Sequence, residues 1–201
     1  MTLLNQIRSK TDSRNIKRYV LVMTVCGVLG GILLSPILMQ GVLLMRQMTD
    51  PTAERFHLIL LISMGSGLLF VPGLLAYAIT SNKGIILLTQ LVVGLVMGLL
   101  TPYLGDMLFS NFLTGILAEG TVFVVTRYQS ASYRSMGWAG GILALLAAAG
   151  SFIGHGALGL TLVQSALIGG STILGFIGLT LSVQFVGSLL RKLSQFTAIS
   201  N

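Results

Sequence analysis

Charge is the scarcest resource in this chain. Only five of its 201 residues are acidic and 12 are basic, so charged side chains make up 8 %, against roughly 25 % in an ordinary soluble domain. So little charge cannot clothe a water-facing surface, which excludes an ordinary soluble globule. The single cysteine, Cys26, excludes an intramolecular disulfide and a cysteine-rich metal site. His57 and His155 lie far apart. The motifs His-Glu-x-x-His, Gly-x-Ser-x-Gly and Gly-x-x-x-x-Gly-Lys are missing, as is a paired-Glu membrane-protease motif. The chain is therefore expected to be neither an enzyme nor an ATPase, and to hold no cofactor or metal.

What fills the chain instead is apolar. Hydrophobic residues make up 54 % of it, and mean hydropathy is +0.91. The apolar residues gather in six stretches: Tyr19–Gln40, Phe56–Ile79, Gly84–Thr101, Met107–Thr126, Met136–His155 and Thr161–Leu190. A hydrocarbon core of roughly 30 Å takes about 20 helical residues to cross. The sequence thus predicts an all-α integral membrane protein, a six-transmembrane-helix bundle. The last stretch is longer and must tilt or run on beyond the bilayer. The first stretch lacks a convincing cleavage site and is read as a retained helix.

The net charge of +7 would suggest nucleic acid in a soluble protein, but its distribution points to topology. Arg8, Lys10, Arg14, Lys17 and Arg18 precede the first stretch. Lys83, Arg127, Arg134, Arg191 and Lys192 fall in alternate connections and near the end, which leaves Arg46 and Arg55 for the other side. The positive-inside rule makes the side with ten basic residues cytoplasmic, and both termini with it. Residues 1–18 form a basic segment, either disordered or lying on the anionic leaflet. Residues 19–190 form the membrane domain, and 191–201 a cytoplasmic tail. The bilayer is an expected partner; nucleic acid is not.

Small residues recur at helical spacing. Gly27, Gly31 and Ser35 stand four apart, Gly94 and Gly98 repeat the interval, and Gly137, Gly141 and residues 144–149 smooth the fifth stretch. Lipid tails give helices no hydrophobic reason to associate, so close approach through small residues holds such bundles together. These faces serve either internal packing or, most plausibly at Gly27, Gly31 and Ser35, docking of a partner.

Glu119 lies well inside the fourth stretch, about 12 Å along the helix from Arg127. A carboxylate at that depth costs a few kcal/mol unless paired, protonated or hydrated. Its role is either a structural bond to a neighbouring helix or a ligand or coupling contact. The three outer connections carry Arg55, then Tyr103 and Asp106, then His155. With Asn111 and Gln164 near the outer helix ends, they are the candidate walls of one small-molecule pocket facing outward. Each also has a bland role, such as a helix cap for Asp106 or loop packing for His155.

The run Gly115-Ile-Leu-Ala-Glu-Gly-Thr-Val-Phe-Val-Val-Thr-Arg-Tyr128, followed by Gly-Trp-Ala-Gly-Gly and Ser151-Phe-Ile, is similar to the YkoE-like family. Those proteins are substrate-binding S components of energy-coupling factor (ECF) vitamin transporters, associated with thiamine or its hydroxymethylpyrimidine precursor. The family's run has the form Gly-x-x-Ala-Glu-x-x-Phe-x-x-Thr-Arg-Trp. Glu119 and Arg127 match it, and the likeness is clear over roughly residues 84–155. Where the family carries acidic residues in the third span, this chain has Gln90 and Met97. The resemblance implies a bacterial cell-membrane protein that captures a vitamin-like ligand from outside. A T component and two cytoplasmic ATPase subunits would then drive its release. The alternatives from other classes are a self-contained homo-oligomeric transporter or channel, and a structural membrane protein.

Overall fold

The computed structural model describes residues 3–47, 66–128, 132–156 and 161–199, with side-chain surroundings over 16–37, 39–40, 67–128, 132–149 and 161–192. Among the described residues the protein is helical throughout, with no strand. The helices are α1 (Leu3–Gln47), α2 (Val71–Thr80, entered through the 3-10 turn Ser66–Phe70), α3 (Ile85–Leu100), α4 (Leu104–Thr126), α5 (Tyr133–Gly156) and α6 (Leu162–Ile199). Each apolar stretch of the sequence overlaps one of them. Three helical segments, Ile16–Ile37, Leu104–Thr126 and Leu162–Lys192, are long and apolar enough to cross a membrane. Gly67–Thr80 and Ile85–Leu100 are shorter apolar helices. The chain is thus a helical protein of membrane type. α1 runs unbroken from Leu3 through Arg18 into the first apolar stretch. α6 continues past Arg191 and Lys192, so the long sixth stretch extends as helix rather than stopping at Leu190.

The surface is inverted relative to a soluble protein. Large apolar side chains such as Leu33, Leu99, Val124 and Leu174 are exposed, while hydroxyls and amides such as Thr89, Gln90, Asn111 and Thr172 are buried. In water that arrangement would expose far too much contiguous apolar surface; against lipid tails it carries no such cost. The inward faces of α2, α3 and α6 supply the core, where Tyr77, Leu74, Ile85, Ile86, Met97 and Phe176 are fully buried. Phe70 and Phe176 meet at a centroid distance of 5.3 Å and an angle of 60°.

Glycines set the helix spacing. A methyl group added at Gly27 would come within 2.6 Å of Val92 Cβ, and one at Gly31 within 2.6 Å of Val96 Cβ. The small face of α1 is therefore filled by α3, and Ser35 beside it is buried, its hydroxyl donating to Gly31 O at 2.7 Å. On the other side of α3, Gly94 and Gly98 lie against the backbone of α4 at Met107 and Leu104. α5 and α6 close similarly where Gly140 meets Thr180. Three helix pairs thus approach through positions with no side chain, the mode expected where dispersion contacts must replace a hydrophobic drive.

Candidate functional site

α3 begins without a local cap. The turn Ser81–Gly84 enters it through a left-handed Ser81 (φ 54°) and a left-handed Gly84 (φ 75°), and Gly84 has no side chain to accept from the first amides. The first N–H groups of any helix lack intrahelical partners. At 16 residues α3 is about 24 Å long, shorter than a hydrocarbon core of about 30 Å. Its unpaired amides therefore cannot count on bulk water.

Glu119 supplies what is missing, from a neighbouring helix. Gly84 N donates to its Oε1 at 2.7 Å, and Ile86 N and Leu87 N donate to its Oε2 at 3.1 and 3.3 Å. Tyr128 Oη donates to Oε1 at 2.6 Å. Two oxygens thus take four donors, about the full acceptor capacity of a carboxylate. The carboxylate also sits at the positive end of the α3 dipole, where negative charge is favoured.

Tyr128 reaches Glu119 because α4 ends in two left-handed residues, Arg127 (φ 47°) and Tyr128 (φ 57°). Arg127 N closes the helix onto Phe123 O at 2.8 Å. Thr126 ties the corner together. Its hydroxyl donates to Val122 O at 2.7 Å, accepts from Tyr128 N at 3.1 Å, and pairs with Tyr77 Oη of α2 at 3.0 Å. Lys83 Nζ lies 5.6 Å from the centre of the Tyr128 ring, within cation–π range. α2, α3 and α4 are thereby fastened at the end of the bundle that carries the basic residues. Arg127 is exposed and contributes its backbone conformation to this corner.

Burial, the bond to Glu119 and the Glu119 charge all push the Tyr128 phenol above its ordinary value. Its folded value exceeds the unfolded one of about 10. The associated stability is therefore fully present below pH 10 and is lost as pH rises toward the folded value. Tyr128→Phe should lower stability by about 1 kcal/mol at neutral pH. The gap between the two proteins should then narrow above pH 10. Unfolding titrations of both from pH 7 to 11 check this, and a gap independent of pH would refute it.

The six residues expected to wall an outward pocket are placed as follows. Arg55 lies outside the described residues, as does the side chain of His155, whose backbone belongs to the last turn of α5. Tyr103 precedes α4. Asp106 stands exposed in the first turn of α4, and Asn111 is buried one and a half turns further on. Asn111 Nδ2 donates to Met107 O at 2.9 Å and approaches Met97 Sδ of α3 at 3.9 Å. Gln164 closes a reciprocal cap on α6: its Oε1 accepts from Thr161 N at 3.0 Å, while Thr161 Oγ1 accepts from Gln164 N at 3.3 Å. Tyr103, Asp106, Asn111 and Gln164 line neither of the two described cavities, of about 440 and 240 Å³.

The fastened corner brings in Gly84, Tyr77 and Tyr128, which sequence reading passed over. A signal was there: an apolar helix opening on Gly-Ile-Ile-Leu with no Ser, Thr, Asp or Asn in the cap position needs an acceptor from elsewhere. Gln90, one turn further along α3, donates from Nε2 to Leu69 O at 2.7 Å and so ties α3 to the turn that begins α2. Among the described residues no three of His, Cys, Asp and Glu come together as a metal site would require. No protein-family model, curated protein or solved structure matches the chain.

Proposed function

We propose that the chain crosses a bacterial cell membrane six times, with both termini on the basic, cytoplasmic side, and works as the substrate-capturing S component of an ECF importer. Its cargo in this reading is a vitamin or vitamin precursor, with thiamine and hydroxymethylpyrimidine the first candidates. The observation that carries the reading is the saturation of Glu119. An ion-coupled transporter needs an ionisable group within its helices that is free to change partners. Here the only acidic side chain inside α4 beyond its first turn accepts four donors and cannot release them without uncapping α3.

Four of the buried hydroxyls point the same way, whereas Thr89 Oγ1 is buried without a hydrogen-bond partner among the described residues. Ser35, Thr126, Thr172 and Thr180 each donate to a carbonyl four residues back in their own helix, so they stitch backbone rather than line a polar path. A bundle built this way suits capture, with the drive supplied by a separate T component and its two ATPases. The face of Gly27, Gly31 and Ser35 is occupied by α3, so docking of the T component through it would require α1 and α3 to part.

Capture is tested by titration calorimetry of the purified protein with a vitamin panel, beginning with thiamine and hydroxymethylpyrimidine. Submicromolar binding of one is the expected result; a folded protein that binds none refutes the assignment. In this reading the candidate walls of the pocket are the outer residues Arg55, Tyr103, Asp106, Asn111, His155 and Gln164. Asp106→Ala and Gln164→Ala are each expected to weaken binding about tenfold, or about 1.4 kcal/mol. Unchanged affinity in both would remove the pocket from this end.

A further inference from the structure

α1 and α2 leave between them an open apolar groove of about 440 Å³. Leu21, Val25, Leu29 and Leu33 form its ridge on α1, each four residues from the next. Val71, Leu75 and Ile79 repeat that interval on the facing side of α2. From Leu21 to Leu33 the ridge runs about 18 Å, close to the roughly 15 Å that one leaflet contributes to the hydrocarbon core. The groove is open along one side and carries no charged or strongly hydrogen-bonding side chain in its lining, so an acyl chain laid along the ridge would cover it without stranding a polar group.

Its charge is arranged at one end. Leu21, Ile79 and Leu190 mark the end nearest the basic residues. Lys17 and Arg18 precede Leu21 by four and three residues, so they stand one turn beyond the groove on the same helix face, and both are exposed. Arg14 and Lys10 continue that spacing in the sequence. Leu190 is followed directly by Arg191 and Lys192. An apolar slot one leaflet deep that opens onto cations matches a lipid with an anionic headgroup, for which each basic residue near the surface contributes about 1 kcal/mol.

We propose that this groove binds an anionic phospholipid, with one acyl chain along α1 and the phosphate at Lys17 and Arg18. The proposal rests on the membrane placement of α1 and is independent of the cargo. The full-length protein, delipidated in detergent, is titrated with dioleoyl phosphatidylglycerol and dioleoyl phosphatidylcholine and read by native mass spectrometry. Phosphatidylglycerol should bind at least tenfold more tightly. Lys17→Gln with Arg18→Gln should abolish that preference and leave phosphatidylcholine binding unchanged. Val25→Trp, at a position 45 % exposed on the ridge, should weaken both lipids about tenfold. Equal binding of the two lipids overturns the proposal, as does a preference that survives the Lys17→Gln, Arg18→Gln substitution or lipid binding that Val25→Trp leaves unchanged. A benzophenone attached to Cys26, which lines the groove, provides a second readout in native membranes. Crosslinking to phospholipid is expected; crosslinking to a polypeptide would make the groove a protein-docking seam and overturn the assignment.

Discussion

Glu119→Ala should lower the unfolding free energy by about 3 kcal/mol, the combined effect of stranding three backbone donors and a tyrosine hydroxyl that now share one carboxylate. The size follows from location. Losing an ordinary cap costs about 1 kcal/mol, because water replaces the acceptor. Here the amides begin a helix too short to reach across the hydrocarbon core, so replacement by water is restricted. Glu119→Gln keeps one acceptor oxygen and should cost about 1 kcal/mol, chiefly the loss of charge assistance. Equilibrium unfolding of the three proteins in mixed micelles measures the global effect. Hydrogen exchange at Gly84, Ile86 and Leu87 gives the local one, and these amides should exchange faster in the Ala variant. A variant within 0.5 kcal/mol of the parent, with unaltered exchange, would mean that Glu119 does not cap α3.

Gly94→Val is the second large effect, also about 3 kcal/mol, at the upper end of what overpacking costs. A methyl group at Gly94 would lie 2.9 Å from Met107 O and 2.9 Å from Asn111 Cβ. The obstacle at Met107 is backbone, which has no rotamer to give, so α3 and α4 must separate along their shared seam. Separation would also draw Asn111 away from Met97, coupling the seam to the N-terminal half of α4. Gly170 in α6 is the control, because a methyl group there meets nothing within 4 Å. Gly170→Ala removes only the helix penalty of glycine and should stabilise the protein by about 0.5–1 kcal/mol. Equal effects at the two positions would show that helix propensity, not close approach, governs Gly94.

The helices were legible because membrane residence imposes one simple demand. Each apolar stretch must satisfy its backbone internally, and a helix is the way to do so within one segment. The stretch Gly84–Thr101 accordingly appears as Ile85–Leu100, and Met136–His155 as Tyr133–Gly156. The small-residue spacing on α1 was equally plain, but spacing names a face and not what meets it. Gly27 and Gly31 were candidates for a partner surface, yet α3 fills that face through Val92 and Val96. The large apolar residues Leu21, Val25, Leu29 and Leu33 lie toward the groove instead.

The polar residues show the same division. Asp106 and Asn111 read as one outer cluster from their nearness in sequence, but Asp106 is exposed while Asn111 is turned into the seam against α3. Five residues are one and a half helical turns, so the two point to different sides of α4. Glu119 was recognisable as a residue that must be satisfied, since its depth made an isolated carboxylate too costly. Its donors were not recognisable. They lie 32 to 35 residues away on α3 and nine residues on at Tyr128.

The amino-acid sequence by itself thus determined the class of environment, the helical state of the apolar segments, and roughly where along the chain those segments lie. All of these are properties of composition and of periodicity within one segment. Tertiary structure alone decided which glycine face meets which helix, that Glu119 caps α3, and that α1 and α2 part to leave an apolar groove. Those outcomes depend on the relative rotation and depth of helices, and rotation and depth are set by contacts between segments far apart in the chain.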